Sequence, residues 1–362
     1  MPHMIENLTL TDFRNHACGR ITTHGRPNII ITGPNGAGKT AILEAISMLG
    51  GDRGMRGAPY TDVARFGASG GFAVHARLRD DSDVAVTFAA GDANRHAHID
   101  GDAAGLADLA ARLRVVWITP REDRIFVDSA ADRRAFFDRL VAGFDATHPG
   151  RVARLGKLIS ERAFALRRGA DGHWLDALDI QIASIAVAVA AARIRYGAEL
   201  NYFLEHIAVS VTGFIEEKII SDTASAAEKL YLDYLRTNRC LTGDKMVIDG
   251  PHKSDFGVFN ASLGLPANLT STGQQKRALL DLILAHAKLI HTKTGANPII
   301  LLDEAAAHLD SDARRHLFQT LGTSHAQVWA TGLDPAAFSD IPNAAFVTCM
   351  NGDIHNILIP VE

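Results

Sequence analysis

The segment Gly33–Thr40, GPNGAGKT, constrains this chain's fold more than any other stretch. It fills every fixed position of the pattern G-x-x-x-x-G-K-[ST]. A continuous apolar run, PNIIIT at 27–32, precedes it. KTAILEAISML at 39–49 follows, with Ile42, Leu43, Ile46 and Leu49 at helical spacing. Strand, glycine loop, helix is the context a phosphate-binding loop requires. Gly33, Gly36 and Gly38 let the backbone turn at dihedrals a side chain would forbid, with Pro34, Asn35 and Ala37 between them. The loop amides and the helix N-terminus then present partial positive charge to an anion. Lys39 reaches the β and γ phosphates of ATP, and the Thr40 hydroxyl ligates Mg²⁺. A glycine-rich turn without a ligand is the competing reading, and the complete match in this context disfavours it.

A second segment completes such a site. In NPIILLDE (297–304), Ile299 to Leu302 make a buried strand that ends in Asp303 and Glu304. Asp303 is placed to hold Mg²⁺ through its waters, opposite Thr40, and Glu304 to polarise the attacking water as general base. A third segment, STGQQKRALLDLILA, starts at Ser271 just before a helical pattern. It resembles the signature motif of ABC ATPases, reading STGQQ where the commoner form is LSGGQ. Ser271, the Gly273 amide and Gln274 offer a second phosphate surface at a helix N-terminus. HLDSD follows, and its Asp310 fits the D-loop position. In ABC ATPases the signature loop completes the site of a partner chain. The resemblance therefore implies an ATP-dependent homodimer with two composite sites.

Composition narrows the class. A chain of 362 residues suggests two domains, or one large domain with an insertion. Hydrophobic residues at 47% and charged residues at 22% suit a soluble globular protein. The formal net charge of −4 excludes a generally basic nucleic-acid coat, so DNA contact needs a local patch. Cys18, Cys240 and Cys349 form no CxxC pair, which argues against a disulfide framework or a cysteine zinc site and fits a reducing cytosol. His96 and His98 read as one face of a surface strand rather than as metal ligands. The N-terminus has no apolar core of a signal peptide. The most apolar run, Ile180 to Ala192, is shorter than a membrane span and reads as a buried Ala-rich helix. The expectation is a cytoplasmic protein with no membrane partner.

Between the motifs, FAVHARLRD and DVAVTF alternate in period two and are separated by turns, which predicts an antiparallel meander at about 70–100. From 128 to 239 the composition is helical, and 176–207 predicts a long helix without a sustained heptad. The expected fold class is α/β. It is an ABC/SMC-head-like P-loop ATPase with an antiparallel β subdomain, its head split into 1–127 and 240–362 around an inserted helical subdomain at 128–239.

Five ordered segments resemble the RecF family of DNA replication and repair proteins. They are the opening IENLTLTDFRNH, the phosphate loop, TPREDRIFVDSAADRRAFFDRLV with Arg133, Arg134, Phe137 and Asp138, DGPHKSDF at 249–256, and LLDEAAAHLD. The resemblance implies a slow, DNA-stimulated ATPase that binds double-stranded DNA near single-strand gaps as an ATP dimer. With RecR and RecO it would help load RecA, serving recombinational repair, replication restart and the SOS response. The stretch GRVARLGKLISERAFALRRG carries Arg151, Arg154, Lys157, Arg162, Arg167 and Arg168 against Glu161. Arg151, Arg154 and Lys157 share a helical face suited to phosphate contacts. Arg53 and Arg56 could contact DNA or reach ATP phosphates. A stand-alone ATPase acting on a non-DNA partner is the alternative.

Overall fold

The computed structural model describes residues 3–51, 53–68, 70–240, 248–304, 314–315, 317–319, 321, 325–339 and 341–357. The chain forms two compact units, 1–123 with 282–362, and 124–281.

The first unit holds two sheets. One is antiparallel, in the order β2 (His16–Thr22), β1 (Ile5–Phe13), β4 (Phe72–Leu78), β5 (Asp83–Phe88), β6 (His96–Ile99) and β7 (Asp102–Ala104). Phe72, Val74, Ala76 and Leu78 on β4 are buried and the residues between them are not, the alternation of a sheet with one wet face. The other sheet runs β15 (Asp353–Ile357), β14 (Ala344–Met350), β3 (Asn28–Thr32), β13 (Gln327–Gly332), β12 (Ile299–Leu302) and β8 (Val115–Ile118). It is parallel except for β15. β3 and β12 are buried along their whole length, as covered parallel strands require.

Helix α1 (Lys39–Leu49) touches strands of both sheets. Its Ile42, Leu43, Ile46 and Leu49 join Leu8, Leu10, Ile29, Ile31 and Leu301 in one core cluster. Each such side chain contributes about 1.5–3 kcal/mol on burial. The short helices α2 (Tyr60–Val63) and α3 (Leu106–Arg112) add Val63 and Leu109 to the same cluster.

The second unit contains α4 (Ala130–Phe144), α5 (His148–Arg167), α6 (Gly172–Asn201), α7 (Phe214–Ser221) and α8 (Ala224–Thr237). It also holds a small antiparallel sheet in the order β11 (Leu265–Pro266), β10 (Asp255–Asn260) and β9 (Ile207–Thr212). The unit boundary falls inside α9 (Thr272–Thr294). This unit thus takes in β10 and β11 as well as the helices expected at 128–239. α6 is long and apolar enough, by length and composition, to cross a bilayer. Its Ile182, Ala183, Ala186, Val189 and Ala190 instead pack with Leu155, Leu158 and Tyr231 in a core cluster.

Two of the segments quoted for the family resemblance lock onto each other in this unit. Arg133 donates twice to the Asp255 carboxylate, at 2.8 and 2.7 Å, and Arg134 donates to the Ser254 carbonyl at 2.7 Å. Arg193 donates twice to Asp138, each at 2.8 Å, and once to the Pro251 carbonyl at 2.6 Å. Burial alone would raise the Asp138 carboxyl, but hydrogen bonds from His148 and Arg193, with their charge, hold it below its ordinary 3.8. An acid depressed on folding adds stability above its unfolded pKa, and that stability is lost as pH falls through the folded value. Asp138→Asn should therefore cost about 3–5 kcal/mol at neutral pH. The gap between variant and wild type should close at pH below 3.8. Urea unfolding of both chains across about pH 3 to 7, the range over which carboxylates titrate, measures it.

Candidate nucleotide site

The parallel order around β3 brings the C-terminal ends of β3, β13 and β12 side by side. The phosphate loop leaves one of these ends and the acid pair another. Gly38, at φ 109°, is the N-cap of α1, and a Cβ there would lie 2.6 Å from His16 Nε2. Gly33, at φ 146°, lies so close to the Cys349 carbonyl that a Cβ would meet it at 2.2 Å. Only glycine fits either place. Lys39 is 5% exposed, and its ammonium donates to the Gly33 and Pro34 carbonyls at 2.8 and 2.9 Å. The side chain thus folds back over the loop it belongs to.

The Thr40 hydroxyl donates to Asp303 Oδ1 at 3.0 Å. The Thr331 hydroxyl donates to the same oxygen at 2.9 Å and accepts the Glu304 N–H at 2.9 Å. Burial pushes the Asp303 carboxyl above its ordinary 3.8; the hydrogen bonds from Thr331 and Thr40 oppose that, the Glu304 charge adds to it, and the Arg56 charge opposes it. A buried carboxylate with a hydroxyl in hydrogen-bond reach is a hard-oxygen donor set, which fits Mg²⁺. Among the described residues nothing would meet a Cβ at Gly36 within 4 Å.

Other expected residues fall in several places. Arg56 lies 3.6 Å from Glu44 of α1 and is exposed. Arg53 is exposed. Ser271 caps α9 reciprocally: its Oγ accepts the Gln274 N–H at 3.4 Å while Gln274 Oε1 accepts the Ser271 N–H at 2.9 Å. Ser271, Gly273 and Gln274 are all exposed. Asp310 lies outside the described residues. On α5, Arg151 pairs with Asp145 at 2.9 Å, Lys157 approaches Glu161 at 3.8 Å, and Arg154 donates to Gln181 at 3.0 Å. Arg154 and Lys157 remain exposed. Arg162 turns inward, where its Nε donates to buried Asp179 at 2.6 Å.

The family model described as RecF/RecN/SMC N terminal domain matches residues 4–355. A DNA replication and repair protein RecF from Mesorhizobium japonicum is 39% identical, covering 97% of each chain. The chain belongs to the RecF family of DNA replication and repair proteins. A second relative of that name, from Brucella suis, is 37% identical over 98% of this chain and 96% of its own. A solved structure of the recombination mediator protein RecF-ATPrS in the RecFOR pathway superposes with a TM-score of 0.85 at 19% identity, covering 99% of both chains. The fold is thus the RecF and SMC-head fold.

Two residues of the FRNH segment support the phosphate loop and α1, a task the sequence does not assign them. His16 is fully buried behind the loop, its Nδ1 2.7 Å from the Gly352 carbonyl and its Nε2 3.2 Å from the Gly38 carbonyl. It braces the last glycine of the phosphate loop against the β14–β15 turn, and its place in FRNH was the only signal. Arg14, beside it, donates to both carboxylate oxygens of Glu44 at 2.8 and 2.5 Å, tying the β1–β2 turn to α1.

Proposed function

We propose that ATP binds at Gly33–Thr40 and that two copies of the chain close over it. Each copy would offer Ser271, Gly273 and Gln274 to the nucleotide held by the other. Lys39 binds the terminal phosphates, Thr40 and Asp303 hold Mg²⁺, and Glu304 accepts a proton from the attacking water. When bound, Mg²⁺ would supply charge neutralisation to the phosphates. Hydrolysis opens the pair, so the ATPase is slow and acts as a switch. The convergence of Thr40, Asp303 and Glu304 on one hydrogen-bonded cluster carries this reading.

The family's role in repair supports the rest. The closed dimer binds double-stranded DNA beside single-strand gaps, engages RecR and through RecO assists RecA loading, in the cytoplasm. Arg154 and Lys157, with Arg151, form the DNA face of α5. Arg53 and Arg56, the latter 3.6 Å from Glu44 of α1, are offered to DNA or to the ATP phosphates.

Light scattering after gel filtration, with and without MgATP and gapped DNA, tests the proposal. A chain that stays single at saturating MgATP on gapped DNA refutes it. Ser271→Arg adds a sharper measurement. The cap is lost, at about 1 kcal/mol, so α9 persists. ATP affinity of the single chain should stay within about 2-fold, while dimerisation falls more than about 10-fold because the long side chain takes the space the partner's nucleotide needs. Normal dimerisation of this variant rules out the composite site.

A further inference from the structure

The parallel register of β12 and β13 pairs Leu302 with Ala330, which sets Thr331 beside Asp303 at the strand ends. Thr331 is fully buried. Its hydroxyl has one proton, given to Asp303 Oδ1 at 2.9 Å, and it accepts the Glu304 amide proton at 2.9 Å. One hydroxyl thus holds the side chain of the first acid and the backbone of the second. A β-branched residue suits this task, because its χ1 is restricted.

Glu304 needs that hold. Its φ is 54°, in the left-handed region. A residue with a Cβ and no short polar side chain does not adopt this turn without outside support. The hydrogen bond from its N–H to the Thr331 hydroxyl is that support. Without it the backbone at Glu304 is free to return to negative φ, and the carboxylate leaves its place at the strand end.

We infer that Thr331 is a positioning residue for hydrolysis: it fixes the turned backbone of Glu304 and the Asp303 carboxylate before nucleotide arrives. The inference rests on the reading of Glu304 as general base. Thr331 itself touches neither water nor nucleotide in this role, so its loss should lower turnover and spare binding.

Thr331→Val removes the hydroxyl and keeps the shape; Thr331→Ala is a second hydroxyl-free chain should valine fail to fold. Thr331→Ser keeps the hydroxyl. Each is measured for kcat and KM with MgATP, for affinity toward a fluorescent ATP analogue, and for amide hydrogen exchange of the peptide containing Glu304 in nucleotide-free protein. Valine or alanine should lower kcat by about 10- to 100-fold, the range a displaced catalytic group produces, and change analogue affinity by less than about 3-fold. Exchange at Glu304 should quicken. Serine should restore kcat to within about 3-fold of wild type and return the slow exchange. Wild-type kcat in a hydroxyl-free chain, or equally fast Glu304 exchange in the wild type, overturns the inference. Equal losses of kcat and affinity that serine does not repair also overturn it. Glu304→Gln is run alongside. If that chain is inactive while Thr331→Val is not, the positioning role alone fails; if it turns over normally, the general-base reading itself is wrong.

Discussion

Lys39→Ala should weaken ATP binding by at least about 100-fold and abolish ATP-dependent pairing of chains in the same measurement. The ammonium is buried to 5% exposure and lies against the Gly33 and Pro34 carbonyls, so its charge sits inside the loop rather than in bulk water. A hydrogen bond to a charged group contributes about 1.5–3 kcal/mol, and two of them to terminal phosphates reach the expected loss. Those two carbonyl bonds also disappear, yet β3 and α1 keep their apolar packing. The variant should therefore unfold within a few degrees of wild type, which separates a binding defect from a folding one. Titration with a fluorescent ATP analogue and light scattering at saturating MgATP read both quantities. Wild-type affinity in this chain rules out the phosphate loop as the nucleotide site.

Much of the site could be read in the sequence because its parts are local. The loop is contiguous, its glycines are demanded by backbone geometry, and the acids follow directly on the apolar run of β12. The reciprocal Ser271–Gln274 cap is a local pattern as well. What stayed hidden depends on partners distant in the chain. Thr331 is one such residue: its bonds to Asp303 and Glu304 follow from strand register, which a sequence does not print. Arg162 sits in a run of basic residues, and Asp179 on the next helix and the Leu235 carbonyl on α8 draw it inward. Likewise β9 lies within a stretch of helical composition, and its partner β10 comes after α7 and α8. The period-two runs of the first sheet were legible because their alternation is decided within each strand.

Glu304→Gln should bind ATP as wild type does, lower hydrolysis by about 100-fold or more, and leave the ATP-bound dimer long-lived. The substitution is nearly isosteric and leaves the backbone untouched. The Glu304 N–H still donates to Thr331, and Asp303 still receives the Thr40 and Thr331 hydroxyls. What changes is the negative charge, and with it the capacity to take a proton from water. The same change removes a like charge that helps raise the Asp303 carboxyl, so Asp303 ionises more readily and the metal-binding pair is kept or improved. Binding and catalysis therefore move in different directions at one position, which no general loss of structure would produce. Phosphate release gives the turnover, and light scattering after ATP is removed gives the dimer lifetime. Turnover at the wild-type rate removes Glu304 from the chemistry. Slow turnover with rapid separation of the pair means instead that something other than hydrolysis opens the dimer.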